Sequence, residues 1–306
     1  MIHARVIKKN ANDAIKYFKI MNFIDKNYRV FSDDLYVYIP LKKCIDGYDC
    51  IDLNGIPARK YSDFSASYDV IGSIAIIKRK GIDDAIKIAG ELIKRKNIEA
   101  VYLDNGISGN FRQHNLRFLA GNEIYETIYR ENSIKLKVNI KYDYFSPRLA
   151  TERLRVSNSV SENEFIIDMF AGVGPFSILI ASRHNVNITA IDINCHAISM
   201  LDENIKMNRL IGKITGICGD ASKVIDNYNN ADRIIMNLPH ESFNFIDIAL
   251  KHLKTGGTIN YYEILNADTL YNRMNFFKKY FDITSKRIVH GYSKTMNMYA
   301  LDLKKL

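Results

Sequence analysis

The chain has 306 residues, is 47% hydrophobic and carries a formal net charge of +9. That length holds a full core and two or three domains, and with no apolar run near the roughly 18 residues that cross a bilayer and no signal-peptide core near the N-terminus, we expect a cytoplasmic protein that does not enter membranes. The charge is unevenly placed: residues 1–150 hold 25 Lys and Arg against 18 Asp and Glu, the remainder 18 against 16, which fits either a polyanion-binding half or a lysine-rich solvated surface.

In chain order, Ile15, Phe18 and Met21 recur three apart behind Asn12 or Asp13 as N-cap, predicting a short amphipathic helix over Asp13–Met21. Tyr36–Leu41 reads as a strand, and the Gly, Pro, Ser and Asp of Gly55–Ser67 mark a boundary, so residues 1–62 form a small α+β module. Asp69–Lys78 is an apolar strand, Asp83–Lys96 a helix with Ala85, Ile88, Ala89 and Leu92 on one face, and Ala100–Leu103 a strand. After the glycines of Gly106–Asn110, Leu116–Ala120, Glu123–Tyr129 and Ile134–Tyr144 alternate polar and apolar positions, as an antiparallel sheet with one wet face does. Residues 68–146 are thus a middle α+β domain.

From Phe165 the rhythm becomes strand then helix: Phe165–Met169, Pro175–Ser182, Ile188–Ile191, Ala197–Asn208, Ile214–Ile217, Arg233–Met236, Phe243–Leu253 and Thr258–Tyr262. Such alternation calls for a doubly wound parallel sheet with helices on both faces. Ile283–Val289 and Met298–Leu303 then follow as two closely connected strands that pair antiparallel at one edge. A parallel α/β sheet with a terminal hairpin, over residues 147–306, is the arrangement of class I methyltransferases.

The four cysteines, Cys44, Cys50, Cys195 and Cys218, form no Cys-x-x-Cys pair and lack a His-x-x-x-His partner, so no metal is expected. We expect buried or half-buried thiols; Cys44 and Cys50 are near enough to pair, but a cytosolic compartment argues against a standing disulfide.

Three strand ends converge on candidate ligand-binding chemistry. Phe165–Phe176 reads Phe-Ile-Ile-Asp-Met-Phe-Ala-Gly-Val-Gly-Pro-Phe: a buried strand, an acid, two glycines that admit a close ligand and a proline suited to the first helical turn. Asp192 lies about 20 residues past the first glycine, where doubly wound folds place the acid for a ribose hydroxyl pair. Asp220, after the third strand, accepts from an adenine amino group or caps the next helix. A third glycine, which a dinucleotide fingerprint requires, is replaced by Ser177, and Phe170 and Phe176 suit an adenosyl group with a short tail. Asn237-Leu238-Pro239 resembles the turn that holds a base edge in methyltransferases acting on base nitrogens. Upstream, Arg148, Glu152 and Arg153 fall near one helical face, either as an intrahelical ion pair or as an acid-base group between guanidiniums.

Taken together, Tyr-Phe-Ser-Pro-Arg-Leu-Ala-Thr-Glu-Arg (144–153), Asp-Met-Phe-Ala-Gly-Val-Gly-Pro-Phe (168–176), Ala-Ile-Asp-Ile-Asn (190–194) and Met-Asn-Leu-Pro (236–239) resemble the archaeal and eukaryotic tRNA (guanine-N1)-methyltransferases acting on guanosine 37. The resemblance implies an S-adenosyl-methionine-dependent enzyme, monomeric, that binds the anticodon stem-loop of tRNA and touches its outer corner with the N-terminal domain. Carried over by motif, the general base is Glu152, the arginine facing guanine O6 is Arg112, and the target-base turn is Asn237 with Pro239. Tyr144, Arg148 and Arg153 stand on the substrate side, and Phe170, Ala171, Gly172, Gly174, Phe176, Asp192, Ile193, Asp220 and Asn237 on the cofactor side. The residue types suit the chemistry, because guanine N1 carries a proton at neutral pH that an acceptor must take, while charge moving onto O6 needs a fixed cation. A tyrosine or phenylalanine at 144 or 145 suits stacking on a flipped base. The alternative is a wyosine-pathway enzyme that methylates a tricyclic guanine or transfers the aminocarboxypropyl group of the same cofactor.

Overall fold

The computed structural model describes residues 1–57, 67–78, 81–108 and 113–306. The chain divides into two compact units, Met1–Ser65 and Ala66–Leu306.

In the first unit, β1 (Ile2–Ile7), α1 (Ala11–Ile20), β2 (Phe31–Ser32), β3 (Tyr36–Pro40) and β4 (Asp49–Asp52) form an antiparallel sheet of order β2-β3-β1-β4. The alternation of β1 and the helical face of α1 bring Ala4, Val6, Ala14, Phe18, Ile39 and Leu41 into one core. Cys44 and Cys50 form a disulfide with Cα atoms 5.8 Å apart.

The second unit opens with β5 (Tyr68–Ile71), β6 (Ile74–Lys78), α2 (Ile82–Leu92), β7 (Ala100–Ser108) and β8 (Gln113–Gly121), a sheet of order β5-β6-β7-β8. The single strand expected over Asp69–Lys78 is in fact a hairpin. Gly72 turns it at a φ of +57°, and the Ser73 amide donates to the Thr127 hydroxyl oxygen at 2.9 Å. The expected antiparallel sheet over residues 116–144 also divides: β8 pairs with β7, whereas β9 (Glu126–Glu131) and β10 (Ile134–Asn139) pair only with each other.

After α3 (Ala150–Asn158) come β11 (Phe165–Asp168), α4 (Pro175–Ala181), β12 (Asn187–Asp192), α5 (Cys195–Met207), β13 (Lys213–Cys218), α6 (Ala221–Val224), β14 (Ala231–Met236), α7 (Ile246–His252), β15 (Leu253–Leu265), α8 (Ala267–Phe277), β16 (Phe281–Gly291) and β17 (Asn297–Lys305). The sheet order is β13-β12-β11-β14-β15-β17-β16, parallel from β13 to β15 and antiparallel through β17 and β16. This is the doubly wound sheet with a terminal antiparallel hairpin that the strand-helix rhythm predicts. Along β11, Ile166 packs with Val156 of α3 and Phe176 of α4, while Ile167 packs with the opposite cluster that holds Ile246 and Phe277, so both faces are covered. The rhythm does not single out α8, whose start is marked by Asn266, a side chain that accepts from the Thr269 amide at 2.8 Å.

The open edge of β10 is sealed by side chains rather than by a strand. Asn204 of α5, fully buried, accepts from the Lys137 amide at 2.6 Å and donates to the carbonyls of Lys137 and Val173 at 3.1 and 3.0 Å. One turn on, Asn208 accepts from the Lys135 amide at 2.9 Å and donates to its carbonyl at 2.7 Å. A continuous core of Leu136, Val138, Phe145, Ala171, Leu179 and Leu201 runs beneath these contacts.

The cysteine expectation needs correcting. All four pair, and Cys44, Cys195 and Cys218 are exposed, because Cys44 sits in the connection between β3 and β4 and the other two at a helix start and a strand end.

Asn204→Ala leaves three backbone groups without partners, the carbonyl of fully buried Val173 among them, and unfolding in urea is expected to show a loss of about 2 to 4 kcal/mol. Asn208→Ala, at a half-exposed position, costs about 1 kcal/mol or less.

Candidate functional site

The ends of β11, β12, β13 and β14 open on one edge of the parallel sheet, around a cavity of about 380 Å³. Its floor is the turn after β11. Gly172 and Gly174 have φ of +53° and +82°, which glycine adopts without steric cost. A Cβ on Gly174 would also lie 2.2 Å from Leu201 Cδ1, so this glycine serves close helix packing. The Ala171 amide donates to the Ile191 carbonyl at 2.8 Å, tying the turn to β12.

Asp192, at the end of β12, holds the same turn from its side chain. The Gly172 amide donates to Oδ2 at 2.7 Å and the Asn194 amide to Oδ1 at 2.9 Å. Burial pushes its carboxyl above the usual range against those two bonds, and Asp143 adds to the rise. Asp220 caps α6 through Oδ1, which accepts from the Ser222 amide at 2.9 Å and hydroxyl at 2.7 Å. These bonds hold its carboxyl below the usual range. Asp220 is thus the cap of α6, and it also lines the cavity.

At the end of β14, Asn237 lines the cavity, and its Oδ1 is buried with no hydrogen-bond partner among the described residues. A buried amide oxygen in that state is costly until a donor arrives. The rest of the turn is internally satisfied. The Glu241 and Ser242 amides donate to the Leu238 carbonyl at 2.9 and 2.8 Å, and the Pro239 carbonyl accepts from the Ile264 amide at 2.9 Å.

Of the sequence-expected residues, Tyr144, Arg153, Phe170, Ala171, Gly172, Phe176, Asp192, Ile193, Asp220 and Asn237 line the cavity together. Gly174 and Pro239 shape its turns from behind. Arg112 lies outside the described residues. The expected single face for Arg148, Glu152 and Arg153 is not formed, because the three side chains leave in different directions. Arg148, on the turn before α3, pairs with Asp69 at 2.9 Å. Arg153 is buried in a two-bond pair with Glu131, at 2.5 Å on both arms. Glu152 is buried and does not line the cavity: it accepts from Arg155 Nη2 at 2.6 Å and from the Tyr262 hydroxyl at 2.9 Å, with Arg287 Nη1 at 4.0 Å. Arg155 carries the chain on to Asp302 at 2.5 Å, and Asn260 donates to Asp302 at 2.7 Å. The intrahelical ion pair thus exists, but it is Glu152 with Arg155.

Sequence reasoning missed Ser146, Leu149, Asn194, Glu241 and Phe245 in the lining. Glu241 is exposed, and its carboxylate has no side-chain partner among the described residues. Its place two residues past Pro239 was the available signal. Ser177, which stands where a third glycine would, is fully buried, and its hydroxyl donates to Asp168 at 2.8 Å.

Comparison with known proteins adds an independent line. Residues 127–290 match the TRM5/TYW2 methyltransferase domain, residues 5–49 the tRNA methyltransferase 5 N-terminal domain and residues 53–124 the TYW2 N-terminal domain. The chain is 34% identical to the tRNA (guanine(37)-N(1))-methyltransferase Trm5b of Pyrococcus abyssi over 92% of each chain. It is 34% identical to the enzyme of that name from Methanocaldococcus jannaschii over 98% of this chain and 97% of the relative. A tRNA 4-demethylwyosine(37)-methyltransferase, Taw21 of Saccharolobus solfataricus, is 34% identical over 63% of this chain and 76% of its own. Among solved structures, Trm5b from Pyrococcus abyssi superposes with a TM-score of 0.76 at 32% identity over 99% of both chains. A complex of aTrm5 with tRNALeu gives 0.73 at 31% over 100% of both, and Methanocaldococcus jannaschii TYW2 in complex with AdoMet gives 0.59 at 25% over 78% of this chain and 100% of that one.

One acid of the site should report on stability. Burial raises the Asp168 carboxyl from 3.8 to about 7, with Asp192 adding to the rise and the Ser177 hydroxyl opposing it. Between those values the folded chain binds the proton more tightly than the unfolded chain, so stability falls as pH rises through that window. The loss is on the order of 4 kcal/mol at about 1.4 kcal/mol per unit. Asp168→Asn removes the titration: urea midpoints for wild type should drop relative to the variant from pH 4 to pH 8, and parallel curves would contradict the assignment.

Proposed function

The chain belongs to the TRM5/TYW2 methyltransferase family, and we propose that it transfers a methyl group from S-adenosyl-methionine to N1 of guanosine 37 in the anticodon loop of tRNA. The observation that carries this reading over the wyosine alternative is coverage. The two archaeal relatives named tRNA (guanine(37)-N(1))-methyltransferase Trm5b align along nearly the whole chain, whereas the demethylwyosine methyltransferase aligns with under two thirds of it.

The cavity's own chemistry fits the donor. Asp192, Asp220 and Glu241 line it, while its guanidinium, Arg153, is already neutralised by Glu131. An acidic, half-apolar cavity favours a cationic adenosyl ligand. Asp192 and Ile193 would hold the ribose and one face of the adenine, Asp220 the adenine amino group, and the Gly172 turn the remainder. S-adenosyl-methionine supplies an electrophilic methyl group when bound. The Asn237 Oδ1, buried without a partner among the described residues, suits a guanine N–H, and Pro239 fixes its turn. Tyr144 stands at the cavity as the stacking surface for the flipped base, and Arg112 is the cation for O6.

Glu152 is the proton acceptor we propose, from its place in the Thr-Glu-Arg motif. Its carboxylate is held by Arg155 and Tyr262, so it must exchange those bonds to reach N1 in the RNA complex. Glu241 is the competing acceptor, favoured by its open carboxylate in the lining. We place Arg148 and the basic first 150 residues against tRNA phosphates, the first unit at the outer corner. We read the enzyme as a cytoplasmic monomer.

Two experiments test this. Label from the donor should enter an unmodified transcript bearing G37 and not one bearing A37; equal label in both, or none in either, overturns the reading. Glu152→Gln should keep donor and tRNA binding while kcat falls at least about 100-fold, the scale of general acid-base groups, with Glu241→Gln within about tenfold. The reverse ranking transfers the acceptor role to Glu241. Because Glu152 is buried against Arg155, the urea midpoint of each variant is compared, and a folded, donor-binding Glu152→Gln protein isolates the chemical step.

A further inference from the structure

We infer that the Cys195–Cys218 disulfide is a positioning element of the donor site, one that joins the two loops reading adenosine and makes donor affinity depend on redox state. The inference rests on the donor-site assignment above and extends it to a pair of residues outside the cavity lining.

Cys218 is the last residue of β13 and Cys195 the first of α5. In the parallel ladder Cys218 stands opposite Asp192, so the bridge spans the point at which β12 and β13 leave the sheet. On one side lie Asp192, Ile193 and Asn194, on the other Gly219 and Asp220; of these five residues, all except Gly219 line the cavity. The Cα atoms are 5.0 Å apart, within the range a disulfide spans without backbone movement. Apart from the bridge, the loops share the bond from the Gly219 amide to the Asp192 carbonyl at 2.9 Å. The covalent link therefore sets the spacing between the ribose acid and the adenine acid before a ligand arrives, which lowers the ordering cost of binding.

Both cysteines are exposed, so small thiols and disulfides reach them. One cysteine thiolate attacks a sulfur of oxidised glutathione and expels a glutathione thiolate. The second then attacks the protein sulfur of that mixed disulfide and expels the other, so two protein thiols are oxidised as one small-molecule disulfide is reduced. A dithiol reductant runs the sequence backwards.

The test uses the full chain with S-adenosyl-homocysteine as calorimetric probe, after oxidised glutathione or after a phosphine reductant. Reduction should weaken binding about fivefold or more in wild type and in Cys44→Ser/Cys50→Ser, which removes the other bridge. Cys195→Ser/Cys218→Ser should bind like reduced wild type in both conditions. In turnover the change should fall on KM for the donor, with kcat at saturating donor and KM for tRNA within twofold. Complete alkylation of Cys195 and Cys218 after glutathione treatment would overturn the proposal, as would equal affinities in the two redox states. Methylation of a G37 transcript by the reduced protein at saturating donor separates the two readings: it survives failure of the redox proposal and is lost only if the assigned function is wrong.

Discussion

The bond from the Gly172 amide into the Asp192 carboxylate is the constraint around which the site is arranged. It joins the ends of two neighbouring parallel strands by a side chain, at a turn where Gly172 takes a positive φ that leads the chain back toward α4. Asp192 is desolvated, and two backbone donors offset that cost while leaving further lone pairs for a ligand. The parallel bond from the Ala171 amide to the Ile191 carbonyl makes the link double, so the turn and the acid cannot shift independently. In the proposed reading, the donor meets a surface that is already formed.

A second constraint acts from the side of α3. Arg153 and Glu131 have side-chain exposures of 1% and 3%, and losing either partner of such a buried pair typically costs about 3 to 5 kcal/mol. Together with Arg148 on Asp69, and Asn132 Nδ2 donating to the Ala150 carbonyl at 3.1 Å, it pins the start of α3 to the strands that precede it. One pair thereby has two effects. It orients the helix that carries Glu152, and it removes the positive charge of Arg153 from the cavity, leaving acids to set the local field. The proposed donor side is thus built on parallel strand ends, and the proposed acceptor side on a helix held by ion pairs to another sheet.

Glu152 illustrates the tension between stability and chemistry in such a design. The bonds it accepts from Arg155 and Tyr262 make it a structural member of a buried polar run that continues through Asp302 and Asn260 to Arg233 and Glu164. A carboxylate in that setting is well satisfied by its partners and meets another donor only when one of them leaves. Arg287, at 44% exposure on the edge strand, is the member of the group most open to exchange with an incoming phosphate.

Much of the cavity lining was legible in the linear sequence because it is local. A strand, its glycine turn and the following helix are contiguous, and the acids at 192 and 220 each end a short apolar run, so periodicity and turn chemistry locate them without a fold. The sheet's parallel order and terminal hairpin followed from the alternation of elements for the same reason. What periodicity reports, however, is which face of an element is apolar, and never which distant residue a polar side chain will meet. Arg148, Arg153 and Arg155 look alike within one helical stretch, yet they find Asp69, Glu131 and Asp302, at separations of 79, 22 and 147 residues. The hairpin break at Gly72, the asparagines that seal β10, the open carboxylate of Glu241 and the pairing of Cys195 with Cys218 depend likewise on packing between segments. The sequence by itself pointed to a methyl donor and to the strand ends at which we propose that it binds. Only the tertiary structure decided which of the nearby charges are free to act, because a charge is set free or silenced by neighbours that folding brings to it.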